Sequence, residues 1–438
     1  TIKYNNLKIT IMKLWNKNDL LNKKIEKFTV GNDRIYDLYI AKYDIKASIV
    51  HAKMLNKSKI ISNNEMNLIV NELNVLNTQI LKDDFIIEEK FEDIHSKIEF
   101  ILTKKLGDVG KKIHTGRSRN DQVLVATQLY LKDQIKEIKD SIKELFETLI
   151  DLAEKNKNHL LPGYTHLQVA MPSSFGLWFS SYAECLIDDI LYLNTAYKIN
   201  NQNPLGSAAG YGSSFKIDRN YTTKELEFET LKFNVVAAQM NRGKIEKSVA
   251  IAISQIANTL SKFSSDICFY MTQELNFISF PDELTTGSSI MPHKKNPDVF
   301  ELIRGKCNAI QSITNELNLI TTNLTSGYHR DMQLLKEKII EGINEIKKCI
   351  ELTSYSIKKI KIRKNILDDK KYEYSFTVEN LNKLVNSGLS FRDAYIKISE
   401  SIKKGNYIPE KNIEHNLIGS INNLCLEEIR AKMKNYFN

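Results

Sequence analysis

Apolar residues recur at alternating steps of three and four in three stretches of the chain. Leu131, Ile135, Ile138, Ile142, Leu145, Leu149 and Leu152 form the first. Val249, Ile253, Ile256, Leu260, Phe263, Ile267 and Tyr270 form the second, and Ile343, Ile346, Ile350, Thr353, Ile357 and Ile360 the third. That spacing predicts long helices packed along a seam at shallow crossing angles. All seven prolines (162, 172, 204, 281, 292, 297 and 409) fall outside the three runs, as helix interiors require. Two further helices are predicted between Pro172 and Asn200 and between Asp298 and Asn323. Helical spacing is also visible from Tyr36 to Leu55 and from Asn64 to Leu81, and beyond about residue 363 the period shortens, with a turn and helix start at Leu389–Ala394. The pattern predicts an all-α chain of three helical domains: 1–113, a central long-helix bundle at 114–362, and a small C-terminal domain at 363–438. Apolar residues extend beyond one stripe on the central helices, which predicts burial against another chain.

The polar text lies in the connections. Thr286-Gly287-Ser288-Ser289-Ile290-Met291-Pro292-His293-Lys294-Lys295-Asn296-Pro297-Asp298 reads as a glycine-serine loop feeding a helix. Its backbone N–H groups and lysines suit an anion at a helix N-terminus. His114-Thr115-Gly116-Arg117-Ser118-Arg119-Asn120-Asp121-Gln122 is dense in donors and precedes the first long helix. Arg119 can chelate a carboxylate, with Ser118 and Asn120 adding hydrogen bonds. Leu161–Gln168 follows that helix and sets His166 among Gly163, Tyr164, Thr165 and Gln168. Pro204–Gly212 is small-residue text without the strand-before-helix context of a dinucleotide site, so it reads as a tight turn with close backbone approach. Gly327–Lys336 opens the last long helix, where Gln333 and Lys336 are three apart and share a face.

Composition narrows the classes. The 438 residues are 42% hydrophobic with a formal charge of +9. The lysines are interleaved with acids along the whole chain and no basic-aromatic block occurs, so nucleic acid is not the expected partner. Cys185, Cys268, Cys307, Cys349 and Cys425 form no CxxC pair, which argues against a zinc site and fits reduced thiols in the cytosol. No apolar run approaches the ~18 residues of a membrane helix, so no membrane partner is expected. Met12 opens Met12-Lys13-Leu14-Trp15 and is the expected functional start, with residues 1–11 an upstream extension.

The 286–298 string resembles the signature of the fumarase/aspartase superfamily of lyases. The 114–122 segment then selects among its members, and with Gly163–Gln168, Glu92-Asp93-Ile94-His95 and the Tyr328/Gln333/Lys336 set the chain resembles the argininosuccinate lyase family from Phe28 to about Gly419. The resemblance implies elimination of argininosuccinate to arginine and fumarate, in arginine biosynthesis in the cytoplasm, with no cofactor and no metal. It assigns proton transfer to Ser288 and His166, with serine as base and histidine as acid the preferred order. It assigns charge stabilisation to Lys294 and orientation of His166 to Glu301. Ser118, Arg119, Asn120, Thr165, Asn296, Tyr328, Gln333 and Lys336 become the substrate-binding set. It implies a homotetramer with a twenty-helix core and sites shared between subunits. The chain's own order agrees: its polar loops are separated by helices too long to bring them together within one chain.

The chain departs from the family pattern in three places. Leu14-Trp15-Asn16-Lys17-Asn18 stands at the usual Trp-Gly-Gly-Arg-Phe start, no serine in Phe28–Arg34 matches a substrate-contacting one, and His293 replaces a glutamine. Asp33 and Gly31 are the candidates to take over the serine's contact. The same resemblance admits an adenylosuccinate lyase-like enzyme, or a non-catalytic crystallin-like protein on the same fold.

Overall fold

Five long helices dominate the computed structural model, which describes residues 22–437: Arg119–Lys155, Phe175–Asn200, Lys244–Tyr270, Asp298–Ile320 and Leu334–Ile357. The Met12 start and the Leu14–Asn18 segment lie outside the described residues. Most of the three apolar runs is buried along these helices, from Ile135, Ile138 and Ile142 through Val249, Ile253 and Ile256 to Ile343, Ile346 and Ile350, while Leu152 and Tyr270 are half-buried and Ile360 falls past the helix end at Ile357. The all-α class holds. Among the described residues, β structure is confined to three short two-stranded pairs and two isolated bridges, Thr286–Asn296 and Ser420–Asn423, in the connections.

The chain folds as two compact units. Among the described residues, one comprises those up to 137 with 193–253 and 312–344, the other 138–192, 254–311 and those from 345 onward. Each of the five boundaries falls inside one of the five long helices. One end of every long helix therefore belongs to the first unit and the other end to the second.

In the first unit, helices Asp33–Lys57, Asn63–Leu81 and Ile94–Leu106 enclose a core of Ile45, Met54, Leu55, Ile69, Leu73, Ile94 and Ile98. Local capping sets their starts. Ser62 and Glu65 form a reciprocal capping box, and the Asp93 carboxylate accepts the Ser96 N–H at 2.7 Å. The 204–212 segment is the predicted tight turn. Gly206 has φ 87°, and a Cβ there would lie 2.8 Å from Cγ of Arg219, so both conformation and space require glycine. The reason for the turn is Asp121, whose carboxylate accepts the N–H groups of Gly206 and Ala208, each at 2.9 Å.

The second unit is built on an aromatic cluster. The Trp178 ring lies tilted at 4.7 Å from Phe179 and 5.3 Å from Phe263, and Tyr182 lies 4.7 Å from Phe263. Asp266 gathers their polar edges, accepting from Trp178 Nε1 at 3.0 Å and from the Tyr182 hydroxyl at 2.6 Å. The Leu161–Gln168 connection is not an irregular loop. It belongs to a β-hairpin of strands Leu160–Thr165 and Gln168–Ser174, in antiparallel register with Pro162 opposite Pro172 and Thr165 opposite Gln168. The two prolines, which weaken a strand reading of the sequence, face each other where the register shifts.

Replacing Ile346, fully buried on Leu334–Ile357, by alanine is expected to cost about 2–5 kcal/mol through the cavity left behind. Chemical denaturation measures it, and an unchanged midpoint would show that the seam is not tightly packed.

Candidate active site

Six of the predicted site residues belong to the first unit and six to the second. In the first, Arg119, Asn120, Tyr328, Gln333 and Lys336 line one cleft, and Ser118 sits at its edge as the cap of Arg119–Lys155. Ser118 Oγ accepts the Asn120 N–H at 3.3 Å, and its own N–H donates to Asp121 at 2.9 Å. The motif is divided by burial. Arg117, Asp121 and Gln122 turn inward as structural groups, while Ser118, Arg119 and Asn120 stay half-buried. Gln333 lies in a single 3-10 turn, Arg330–Gln333, that leads into the helix bearing Lys336. Its amide donates to the Thr29 carbonyl at 2.8 Å, which ties that turn to the first helix, Lys23–Val30.

The cleft is rich in both charges. Arg119, Arg242, Arg330 and Lys336 face Asp33, Asp37, Glu92 and Asp93. Lys336 is buried, bonded to Asp37 and 3.1 Å from Asp33. Burial lowers its pKa, but Asp37 and Asp33 outweigh burial and raise it. Burial pushes the Asp33 carboxyl up to about 6, against the pull of Lys336. The Arg119 guanidinium is already engaged, 3.3 Å from Glu92, 3.1 Å from Asp93 and 3.2 Å from Ser96 Oγ. Arg330 holds the other oxygen of Glu92 at 2.6 Å.

In the second unit, His166 and Leu167 form the two-residue loop of the hairpin, with φ 54° and 59°. Positive φ at both loop positions is the geometry that fits the strand twist, but it disfavours side chains with a Cβ. Tyr164 anchors the hairpin edge-on against Phe269 at 5.2 Å, and Thr165, His166 and Leu167 beyond it are exposed.

The signature loop is pinned at its base. Asn296 N–H donates to the Thr286 carbonyl at 2.8 Å, and the Asn296 amide lies 3.4 Å from both Thr286 Oγ1 and the Gly287 carbonyl. Lys295 pairs with Asp282. Within the loop, Ser288 Oγ accepts N–H groups of Met291 at 3.2 Å and Ile290 at 3.4 Å. Pro297 precedes Asp298–Ile320 and its carbonyl takes the first helical bonds, from Phe300 at 2.9 Å and Glu301 at 3.0 Å. Lys294 and Glu301 are exposed. Within the single chain no hydrogen bond or ion pair among the described residues joins Glu301 to His166.

A family model described as "Lyase" matches residues 16–312. The chain is 50% identical over 422 residues to an argininosuccinate lyase of Bacteroides fragilis, covering 96% of this chain and 94% of that one. The chain belongs to the argininosuccinate lyase family. A family member from Thermotoga neapolitana is 42% identical over 388 residues, covering 89% of this chain and 98% of its own. Among solved structures, a fumarate lyase:delta crystallin from Brucella melitensis superposes with TM-score 0.74 at 16% identity, covering 95% of each chain. A class II fumarase from Schistosoma mansoni gives TM-score 0.72 at 18% identity, covering 94% of this chain and 95% of that one. At such identities the structures speak for the fold alone.

The argininosuccinate lyase pattern leaves several groups in the cleft without a predicted role. Asp37, Glu92, Asp93, His95, Arg242 and Arg330 all line it. Part of the signal was present in the helix Asp33–Lys57: Asp37, Asp44, Ser48 and His51 are spaced by seven, four and three and are all fully buried. A polar stripe at helical period is invisible to a search for apolar periodicity. Arg242 carries a weaker signal, four residues before Glu246, with which it pairs at 2.8 Å.

Asp37→Asn removes the main counter-charge of buried Lys336 and is expected to cost about 3 kcal/mol. Denaturation of the two proteins in parallel tests this, and equal midpoints would mean that Asp33 alone suffices.

Proposed function

We propose that this lyase cleaves argininosuccinate to arginine and fumarate, in arginine biosynthesis in the cytoplasm. The observation that carries the reading is the cleft's balance of four cations and four carboxylates. A ligand bearing several carboxylates together with an ammonium and a guanidinium group needs both signs, each desolvated group finding a partner. In this reading Ser118, Arg119, Asn120, Thr165 and Asn296 hold the succinyl carboxylates. Tyr328, Gln333 and Lys336 hold the remainder of the substrate. Asp33, beside Lys336 in the cleft, takes the contact for which no serine is present.

Breaking the carbon–nitrogen bond requires a base for the proton next to a carboxylate and an acid for the leaving nitrogen. The intermediate adds charge to an already anionic group, so fixed cations and N–H donors carry most of the catalysis. Ser288 is the base. A hydroxyl is far too weak for this in water, but the Met291 and Ile290 N–H groups already point at its oxygen. Exclusion of water and the approach of Lys294 would complete the stabilisation of the alkoxide. His166 is the acid, since imidazole is the side chain most often used to pass a proton to a leaving group. Glu301 orients it from another subunit.

The exposure of Thr165, His166, Lys294 and Glu301 in a single chain supports a shared site, because catalysis of this kind needs water excluded. Leu302, Leu352 and Tyr355 are apolar residues exposed on the long helices, and they support burial in a homotetramer. The division 1–113, 114–362 and 363–438 is the domain plan proposed for that assembly.

The purified protein is expected to sediment as a tetramer and to release fumarate from argininosuccinate. Activity confined to adenylosuccinate or malate, or a monomer turning over at full speed, would overturn the reading. Ser288→Ala is expected to lower turnover by about 10²–10⁴-fold while leaving substrate binding largely intact. Near-native turnover in that variant would remove serine from the base role.

A further inference from the structure

The charges lining the cleft do not cancel once their partners are traced. Of its four cations, Arg242 is committed outside the lining, with Nε 2.8 Å from Glu246, a fully buried carboxylate. His95 likewise turns to buried Asp44, at 2.8 Å. Arg119, Arg330 and Lys336 remain to match Asp33, Asp37, Glu92 and Asp93. Glu92 has two of them, Arg330 at 2.6 Å and Arg119 at 3.3 Å. Asp93 has Arg119 at 3.1 Å and the Ser96 N–H at 2.7 Å. Lys336 is left to serve two carboxylates, Asp37 and, at 3.1 Å, Asp33.

The excess negative charge falls on Asp33. Asp37 is fully buried and bonded to Lys336, and its second oxygen accepts the Ile94 N–H at 3.0 Å. Asp33 meets Lys336 through Oδ1 alone, and its other oxygen has no partner among the described residues. Its side chain keeps 16% of its exposure, so a ligand in the cleft reaches it. Asp33 opens the helix Asp33–Lys57, just beyond Val30, whose carbonyl accepts the Gln333 amide at 3.3 Å. It is therefore fixed beside both Gln333 and Lys336.

The same cleft holds an unmatched donor. Arg242 is only 5% exposed, its Nη2 donates to the Met332 carbonyl at 3.2 Å, and its Nη1 has no partner. An unmatched carboxylate and an unmatched N–H in one cleft fit a ligand that carries an ammonium beside a carboxylate, as the end of an α-amino acid does.

We infer that Asp33 is a specificity-determining residue: its free oxygen accepts the α-ammonium of the substrate's amino-acid end, whose charge offsets the excess around Lys336. The inference rests on the argininosuccinate reading above and names the substrate group to which Asp33 is matched.

Asp33 can do this only as a carboxylate. Burial raises its pKa to about 6, Lys336 opposes the rise, and Asp37 on the same helix and Asp93 just before Ile94–Leu106 add to it. Arg242, just before Lys244–Tyr270, adds its positive charge near Lys336. The ionised form is complete well above that value and is lost as pH falls through it. Recognition of the ammonium should fail on the acid side.

The test compares argininosuccinate with its deamino analogue, in which hydrogen replaces the α-ammonium, on the intact enzyme and on Asp33→Asn. The intact enzyme is expected to prefer argininosuccinate about tenfold in kcat/KM at neutral pH, and to lose that preference as pH falls below about 6. Asp33→Asn is expected to raise KM for argininosuccinate about tenfold with kcat changed less than about threefold, the signature of lost binding shared by ground and transition states. It should treat the two substrates alike at every pH. A variant that keeps the full preference overturns the inference. If the variant does not fold, the intact enzyme decides alone: a preference unchanged between about pH 5 and 8, on both sides of the carboxyl's titration, overturns it. Intact enzyme inert toward argininosuccinate and its analogue removes the reading above and this inference with it. Active intact enzyme whose preference survives Asp33→Asn removes this inference alone.

Discussion

A carboxylate taken out of water must find a cation or an N–H for its oxygens. Three of the fully buried carboxylates of the first unit, Asp37, Asp44 and Asp121, show how its polar segments are arranged to meet that condition. Asp37 binds Lys336 and accepts the Ile94 N–H at 3.0 Å. Asp44 binds His95 and Gln122. Asp121 accepts N–H groups from Ser118, Gly206 and Ala208. Each carboxylate fastens segments that are far apart in the chain: the start of Ile94–Leu106, the cap of the first long helix, the tight turn after 204, and the start of the last long helix. The cleft is the space these fastenings surround.

This arrangement explains why a polar site can sit among apolar helices. The long helices supply rigidity along their seams, and their ends supply loops whose N–H groups are not consumed by helical hydrogen bonding. The donor-rich motif exploits that position. Inward-turned Arg117, Asp121 and Gln122 fix the backbone that carries Ser118, Arg119 and Asn120. In the second unit the same economy uses a hairpin. Tyr164 is packed against aromatic rings, and His166 is carried on the strained loop one step beyond Thr165.

The two sets of groups also divide by exposure. Lys336 and its partners are buried and paired. Thr165, His166, Lys294 and Glu301 are exposed, and Ser288 is half-buried in a loop pinned only at its ends. Buried, paired groups on one side of this division and exposed ones on the other suit the proposed reading, in which the reacting centre is closed last.

Most of the architecture was legible in the residues themselves. A step of three and four with proline excluded leaves few alternatives to long packed helices, and the buried runs from Ile135 to Ile350 follow it closely. The signature loop and the donor-rich motif were legible because their chemistry is written in consecutive residues. The hairpin around His166 was not, since Pro162, Gly163 and Pro172 oppose a strand locally and only pairing across the turn, with Tyr164 packed beside Phe269, makes one. Nor was the acidic half of the cleft. Asp33 and Asp37 look like ordinary polar residues on a helix in sequence, because what pairs with them in the cleft is Lys336, arriving from elsewhere in the chain. Local periodicity determines elements, whereas the partner of a buried charge is chosen only when distant segments meet.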